Sequence, residues 1–535
     1  MSTSTFADTV EELSPPGTAA ALPEALRSAY SPESFRAHGH ALVDQLADYL
    51  TRAQAGQLPV LPAGEPDELL ARWPAQFAAG PGPGLLALLP RILAESNHLH
   101  HPRYVGHQVS APLPVSALCE LVSALLNNGM AVFEMGPVAV AMERNLSSFF
   151  AAQFGLPATA EGVFTSGGSA GNLTALLAAR QARAGFDSWE AGLAGGPQLA
   201  ILAADQAHYC VPRAAKVMGL GQDGVIAVPT DDHFRLRPDA LPAALAEAAR
   251  RGRRVFAVVA SAGSTATGAF DPLPPIADFC AAHGLWLHVD GAHGAAAALS
   301  PRYRHLVAGI ERADSVVLDA HKMLLQPALL TLVLFRDGRD SYATFAQRAS
   351  YLFTEPAPES DPAPAQRPGP AATQAMTAHA MTAHEWWNPG LRTLECTKKM
   401  MILKLFVSLS QYGTRLFSDY ITATFDLARA FADRLRAAGD FTVAVAPEAN
   451  IVCFRYTPPA GDGAHPASQA DGDALQEEIR QRLLTDGSFY LVKTRLPTGV
   501  HLRTTLINPL TTLAELDALL AAIRGAAGAR PDASF

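Results

Sequence analysis

Lys322 stands just beyond an apolar run in "SVVLDAHKMLLQP", with Asp319 and His321 beside it. A run such as Val316-Val317-Leu318 bounded by polar residues predicts a buried strand. Side chains that follow it emerge at the strand's C-terminal end, where α/β sheets bind ligands. A lysine delivered there must be paired as a charge or used covalently. About one βα unit earlier, "GLWLHVDGAHGAAAAL" ends a second apolar run in Asp290. A buried carboxylate is costly unless a cation or hydrogen bonds hold it, and a protonated heterocyclic nitrogen meets that need. The small residues after it, Gly291, Ala292 and Gly294 to Ala298, let a flat group approach the backbone, and His293 stands out among them.

Two further segments are weaker when taken singly. "VFTSGGSAGNLTALLAAR" opens a helix with a Gly/Ser turn at Ser169 to Leu173. Successive N–H groups there can hold a phosphate without a charged side chain, although an ordinary Ser/Gly helix cap reads the same way. It is neither a Walker loop nor a GxGxxG turn. "AADQAHYCVPRAAKVMG" places His208 between a strand and a helix, where a structural histidine is the simpler reading. Together the four segments meet the demands of pyridoxal phosphate. Its aldehyde needs a lysine, its ring nitrogen a carboxylate, its phosphate an anion nest and its ring face a flat partner.

The elements that must position these residues follow from periodicity. Residues 1–30 are rich in Ala, Pro, Ser and Thr and are expected to be frayed; 31–100 read as helices broken by Pro/Gly turns. From about 160 to 335 short β-branched runs alternate with Ala/Leu-rich segments, which predicts a mostly parallel sheet within a large cofactor domain over 101–350. Residues 351–385 include "EPAPESDPAPAQRPGPAAT", which proline excludes from helix and inner strand, and a tandem "AMTAHAMTAH"; they are read as a mobile loop. A helical connection from "GLRTLECTKKMMILKLF" to about 437 then leads into a small α+β domain, the two together spanning 386–535.

Composition narrows the function classes. The chain has 535 residues, 49% hydrophobic and 17% charged, with a net charge of −9. The acidic balance and the absence of basic runs argue against nucleic acid, and no run is long and apolar enough for a membrane span. The start lacks a basic segment joined to an apolar one, so no secretory signal is expected. Cys119, Cys210, Cys280, Cys396 and Cys453 are odd in number and without CxxC pairs. They read as reduced cytoplasmic thiols, with neither disulfides nor a metal site.

"HYCVPRAAKVMGLG", "ASAGSTATGAFDPL", "LHVDGAHG" and "DSVVLDAHKMLLQP" resemble, in order and spacing, the group II pyridoxal-phosphate-dependent amino-acid decarboxylases, which include glutamate, aromatic-amino-acid and 2,4-diaminobutyrate decarboxylases. The resemblance is close over about 95–345 and thinner beyond. It implies fold type I, a homodimer with the active site at the subunit interface, and a role for each matching position. Lys322 is then the Schiff-base lysine, Asp290 the partner of the ring nitrogen and His208 the ring-stacking histidine. Thr265 lies near the ring, and Ser169, Ala170, Gly171 and His321 surround the phosphate. Tyr351 falls where the family's proton-returning loop tyrosine belongs, and the Pro-rich tract after it makes this loop longer than usual. A loop tyrosine without a role is the other reading. Arg503 in "VHLRTTLINP" matches the arginine that holds the substrate α-carboxylate, against a surface arginine on a strand.

For the substrate side chain, "NHLHHPRYVGHQVSAPLP" matches a wall segment, so His107, Gln108 and Ser110 are the candidates. They favour a polar or acidic aliphatic amino acid, glutamate- or diaminobutyrate-like. "GSTATGAFDPL" looks glutamate-type and "DAHKMLLQP" diaminobutyrate-type, while His293 replaces the aromatic residue usual after HVD. Phe133 and Glu134 either reach a neighbouring subunit's site or pack in the core. The reaction implied is loss of CO2 from an L-amino acid. A lyase or aminotransferase on the same fold would not need Tyr351, and a silent dimeric homologue is the third possibility.

Overall fold

The alternating stretch forms a seven-stranded sheet in the computed structural model, which describes residues 23–62, 64–347, 384–458 and 468–528. Its strands are β1 (Glu161–Thr165), β2 (Gln198–Ala204), β3 (Val225–Val228), β4 (Arg253–Ser261), β5 (Trp286–Asp290), β6 (Ser315–Asp319) and β7 (Thr331–Phe335), in the order β1-β7-β6-β5-β4-β2-β3. The pairs β2·β3, β2·β4, β4·β5 and β5·β6 are parallel, and β7 runs antiparallel to both β6 and β1. The reason is the short return after Lys322. A parallel crossover takes roughly a dozen or more residues, and segment 320–330 spends its first four on the Ala320–Met323 helix.

Both faces of this sheet are covered, which is why its strands read as continuous apolar runs. Val316, Leu318, Leu332 and Leu334 point into one core, whereas Val317, Val333 and Phe335 point into the other. Every side chain of β6 is buried. The strand therefore has no solvent face, and its C-terminal end is where chemistry can be exposed.

A second sheet carries β8 (Phe441–Val443), β9 (Ile451–Tyr456), β10 (Val492–Leu496) and β11 (Gly499–Thr505) in the order β10-β11-β9-β8, all antiparallel. Helices Gln469–Thr485 and Leu513–Gly528 bury Ile479, Leu483, Leu519 and Ile523 in the core with Phe454 and Leu502.

The chain divides into two compact units, Met1–His98 and Leu99–Phe535. In the first, helices Pro32–Gln54, Pro66–Arg72 and Leu85–Ala94 follow the helical reading, and the Trp73 indole N–H donates to Glu95 Oε2 at 2.8 Å. Glu24–Ala29 is already helical inside the stretch expected to be frayed. In the second unit the helix expected from Gly390 starts only at Leu403 and runs to Ala438, broken at Gly413 (φ 67°). Side chains pin the segment before it to β1 instead. Lys398 Nζ donates to Glu143 Oε2 (2.8 Å) and to the Phe164 carbonyl (2.7 Å), and Arg392 pairs with Glu161 at 2.8 Å. Among the described residues no helix is long and apolar enough to cross a membrane.

Candidate functional site

The C-terminal ends of β4, β5 and β6 open on one edge of the large sheet, and the loops after β1 and β2 join them there. Asp290 closes β5, Asp319 closes β6, and Lys322 follows within one helical turn. Lys322, Asp290, His208, Thr265, Ser169 and His321 line a single cavity, together with Asp319 and His293. Six residues expected at the site are thus brought together from five separate chain segments.

At the ring end, Asp290 Oδ1 accepts the Ala292 N–H at 3.2 Å, and the Cys210 thiol lies 3.9 Å from Oδ2. The carboxylate has acceptor capacity left over, as a protonated ring nitrogen requires. Burial raises the Cys210 thiol pKa, so sulfur stays protonated beside the carboxylate. His208 Nδ1 accepts the Cys210 N–H at 3.3 Å, and burial lowers its pKa, favouring the neutral imidazole. His208, Cys210 and Asp290 also place one N, S and O donor within 4.8 Å of one another. A cation held by all three would occupy the carboxylate that the ring nitrogen needs.

At the phosphate end, Gly167 turns the chain at φ 119° and Gly168 begins a helix to Arg183. A Cβ on Gly168 would stand 2.9 Å from Asp319 Oδ2, so only glycine lets the helix start so close to β6. The first amides of a helix have no intrahelical acceptor, which leaves those of Gly168, Ser169 and Ala170 for an anion. Gly171 does not join them. Its N–H donates to the Gly167 carbonyl at 3.0 Å, and its α-carbon packs against Thr331, where a Cβ would meet Cγ2 at 2.9 Å. The glycine serves helix-to-sheet contact, which corrects its expected place around the phosphate. His321 lies at the cavity, with Nδ1 3.0 Å from the Leu330 carbonyl oxygen and its pKa lowered by burial.

These residues fit pyridoxal phosphate: a lysine, a carboxylate with spare acceptors, an imidazole and a helix start that a Cβ would obstruct. The pyridoxal-dependent decarboxylase conserved domain matches residues 90–365 and 387–457. The chain belongs to the pyridoxal-dependent decarboxylase family. It is 32% identical over 437 residues to the L-2,4-diaminobutyrate decarboxylase of Rhizobium meliloti, covering 81% of this chain and 80% of the relative. It is 30% identical over 424 residues to human cysteine sulfinic acid decarboxylase, covering 78% and 81%. The crystal structure of mouse CSAD superposes with a TM-score of 0.81 at 26% identity, over 93% of this chain and 99% of that one. As a member of the pyridoxal-dependent decarboxylases, the protein is a carboxy-lyase of fold type I that takes pyridoxal phosphate and acts on an amino acid.

On the substrate side this pyridoxal-dependent decarboxylase departs from the expected layout. Arg503 lies on β11, beyond the residues that the family domain matches. It is buried at 6% exposure, which excludes a surface arginine. Its Nη2 donates to Thr505 Oγ1 at 3.3 Å and its Nε has no hydrogen-bond partner. Burial lowers the Arg503 pKa, and burial is also the main cause that depresses those of His107 and the cavity residue His293, with the Arg503 charge adding to it. His107 is exposed, its ring 5.6 Å from that of Tyr490, and Gln108 is buried with Nε2 unpartnered. Ser110 is buried, and its hydroxyl donates to the His321 carbonyl at 3.1 Å, which fixes the turn carrying Lys322. Phe133 and Glu134 are exposed rather than packed in the core. Tyr351 lies outside the described residues.

Asp319, noted beside Lys322 in the sequence but given no role there, holds the Lys322 ammonium at 3.1 Å and accepts the Thr331 hydroxyl at 2.5 Å. Two supporting residues were missed from sequence. His288 and Asn172, which connect β5 to the helix starting at Gly168, gave no signal, because His288 reads as one polar residue in an apolar strand.

Proposed function

We propose that the enzyme decarboxylates a polar or acidic aliphatic L-amino acid to the corresponding amine, as a cytoplasmic homodimer. The observation that carries the reaction is the placing of Lys322 and Asp290 in one cavity at adjacent strand ends. When bound, the cofactor supplies an electron sink for the pair left behind by departing CO2.

The chain's own groups do the rest. Arg503, a buried guanidinium without a carboxylate partner among the described residues, receives the substrate α-carboxylate and orients the bond to be broken. Asp290 keeps a proton on the ring nitrogen as charge develops. His208 would lie against the face of the bound ring, and Lys322 would be the amine that holds its aldehyde. Tyr351 returns a proton to Cα.

Support for a polar substrate is the wall chemistry of His107, Gln108 and His293, and the activities that the relatives' names state. Support for the dimer is an unpaired apolar stripe. In the helix Pro114–Leu126, Leu118, Leu121, Val122 and Leu125 follow helical spacing on one face, and each is at least 43% exposed. The five free cysteines accord with a reducing compartment.

The test is a panel of the common amino acids and 2,4-diaminobutyrate given to the pyridoxal-phosphate-loaded protein. CO2 and amine are measured together, with Lys322→Ala as the blank. One amino acid giving equal CO2 and amine establishes the reading. An aldehyde or keto acid without the amine overturns it. Light scattering gives the mass of the assembly, and a monomer at working concentration rejects the dimer.

A further inference from the structure

Asp319 is a carboxylate where an anion is to bind. It is 2% exposed, and its Oδ2 lies where a Cβ on Gly168 would come within 2.9 Å, against the first residue of the phosphate helix. The cavity wall holds Asp319 together with Gly168, Ser169, His321 and Lys322. Thr331 donates its hydroxyl to Oδ1, and the Asp319 N–H goes to the Ala292 carbonyl at 3.1 Å, so the residue is locked in place. Lys322 at 3.1 Å is its cation, and His321 Nε2 stands at 3.6 Å with burial favouring the neutral ring.

We propose that Asp319 is a positioning residue that sets how tightly the enzyme holds its cofactor, by opposing the phosphate in its own nest. The carboxylate stands against the helix start and keeps the Lys322 ammonium beside it. An arriving phosphate must share the nest with this fixed negative charge, and like charges at such separation in a low-dielectric site repel strongly. Lys322 is then drawn from Asp319 toward the aldehyde, which leaves the carboxylate with less compensation at the moment the phosphate enters. An amide at the same position reverses the sign. Its oxygen still accepts from Thr331, and its N–H₂ donates to phosphate. The proposal rests on the cavity being the pyridoxal phosphate site, and its test uses no amino-acid substrate.

The experiment compares wild type with Asp319→Asn. Equilibrium binding of pyridoxal phosphate, of pyridoxal and of inorganic phosphate is measured on cofactor-free protein, together with the melting temperature. The expected result is pyridoxal phosphate held at least about tenfold more tightly by the variant. Inorganic phosphate should compete more strongly by a similar factor, and pyridoxal should gain less than pyridoxal phosphate. No gain, or weaker binding, overturns the proposal. So does an equal gain for pyridoxal and its phosphate with none for inorganic phosphate, because the carboxylate would then act on Lys322 alone. Thr331→Val removes the hydroxyl and keeps the charge, and a gain as large as that of Asp319→Asn would assign the effect to loosened packing and overturn the proposal. If wild type binds no pyridoxal phosphate, the functional reading of the cavity fails instead.

Discussion

His288 Nε2 meets Asn172 Oδ1 at 2.8 Å, so the residue two before Asp290 grips the helix that starts at Gly168 on the cavity wall. The contact belongs to a satisfied chain. The Trp286 indole N–H donates to Ser315 Oγ (2.8 Å), the Ser315 hydroxyl to His288 Nδ1 (2.8 Å), and the Asn172 amide to the Gly168 carbonyl (2.8 Å). Since the Asn172 nitrogen is spent on a carbonyl, its oxygen must accept, which fixes the ring proton on Nε2. The ends of the cofactor site are therefore joined through β5, beneath the cavity.

Breaking that chain should loosen the phosphate end first. His288→Leu leaves the Asn172 Oδ1 and the Ser315 hydroxyl proton without a partner inside the core, a loss of about 1–3 kcal/mol for each buried group. Urea unfolding of the cofactor-free protein measures the stability loss, and pyridoxal phosphate should bind more weakly than to wild type. Unchanged cofactor affinity would show that the helix start is held by other contacts.

The same histidine makes a pH prediction. Burial pushes His288 down to about 4 from an ordinary 6.5, so between these values the unfolded chain binds more protons than the folded one. Its contribution is complete above about 6.5 and is lost as pH falls toward 4, by an amount on the order of 3 kcal/mol. Asp271, pushed up to about 7 by burial, acts in the opposite direction. The comparison is therefore between wild type and His288→Leu, and the variant's stability should fall less between pH 7.5 and pH 5.

Arg503 separates stability from function. A buried guanidinium with an unpartnered Nε is costly to the resting fold, so Arg503→Met should melt at or above the wild-type temperature. Without the fork for the α-carboxylate, kcat/KM should drop by about 10²-fold or more. A lower melting temperature with kcat/KM unchanged would remove Arg503 from the site.

Asp290→Asn should fold and hold pyridoxal phosphate while kcat falls by roughly 10²-fold or more, since an amide cannot keep the ring nitrogen protonated. Lys322→Ala should lose all turnover and let the cofactor pass away on gel filtration. Absorbance of the protein fraction reports retention in both variants.

What was legible in the sequence was what short-range pattern controls. The apolar runs ending in Asp290 and Lys322 were strands, because a run of Val and Leu covered on both faces has no other stable use in a chain of this kind. Their spacing of one βα unit put both residues on one sheet edge. Tertiary structure decided what depends on a partner far along the chain. Gly171 turned out to face Thr331, Ser110 to hold the lysine turn, and Lys398 to replace a helix by its bond to the Phe164 carbonyl. His288 to Asn172 and Asp319 to Thr331 are contacts between residues that no periodicity relates. A side chain's hydrogen-bond partner is set by which strand lies beside it, and the order β1-β7-β6-β5 follows from the chain reversing just after Lys322. The sequence by itself picked out the polar groups that end the buried strands; the tertiary structure decided which groups hold them, because positioning is made from contacts that exist only once the sheet has closed.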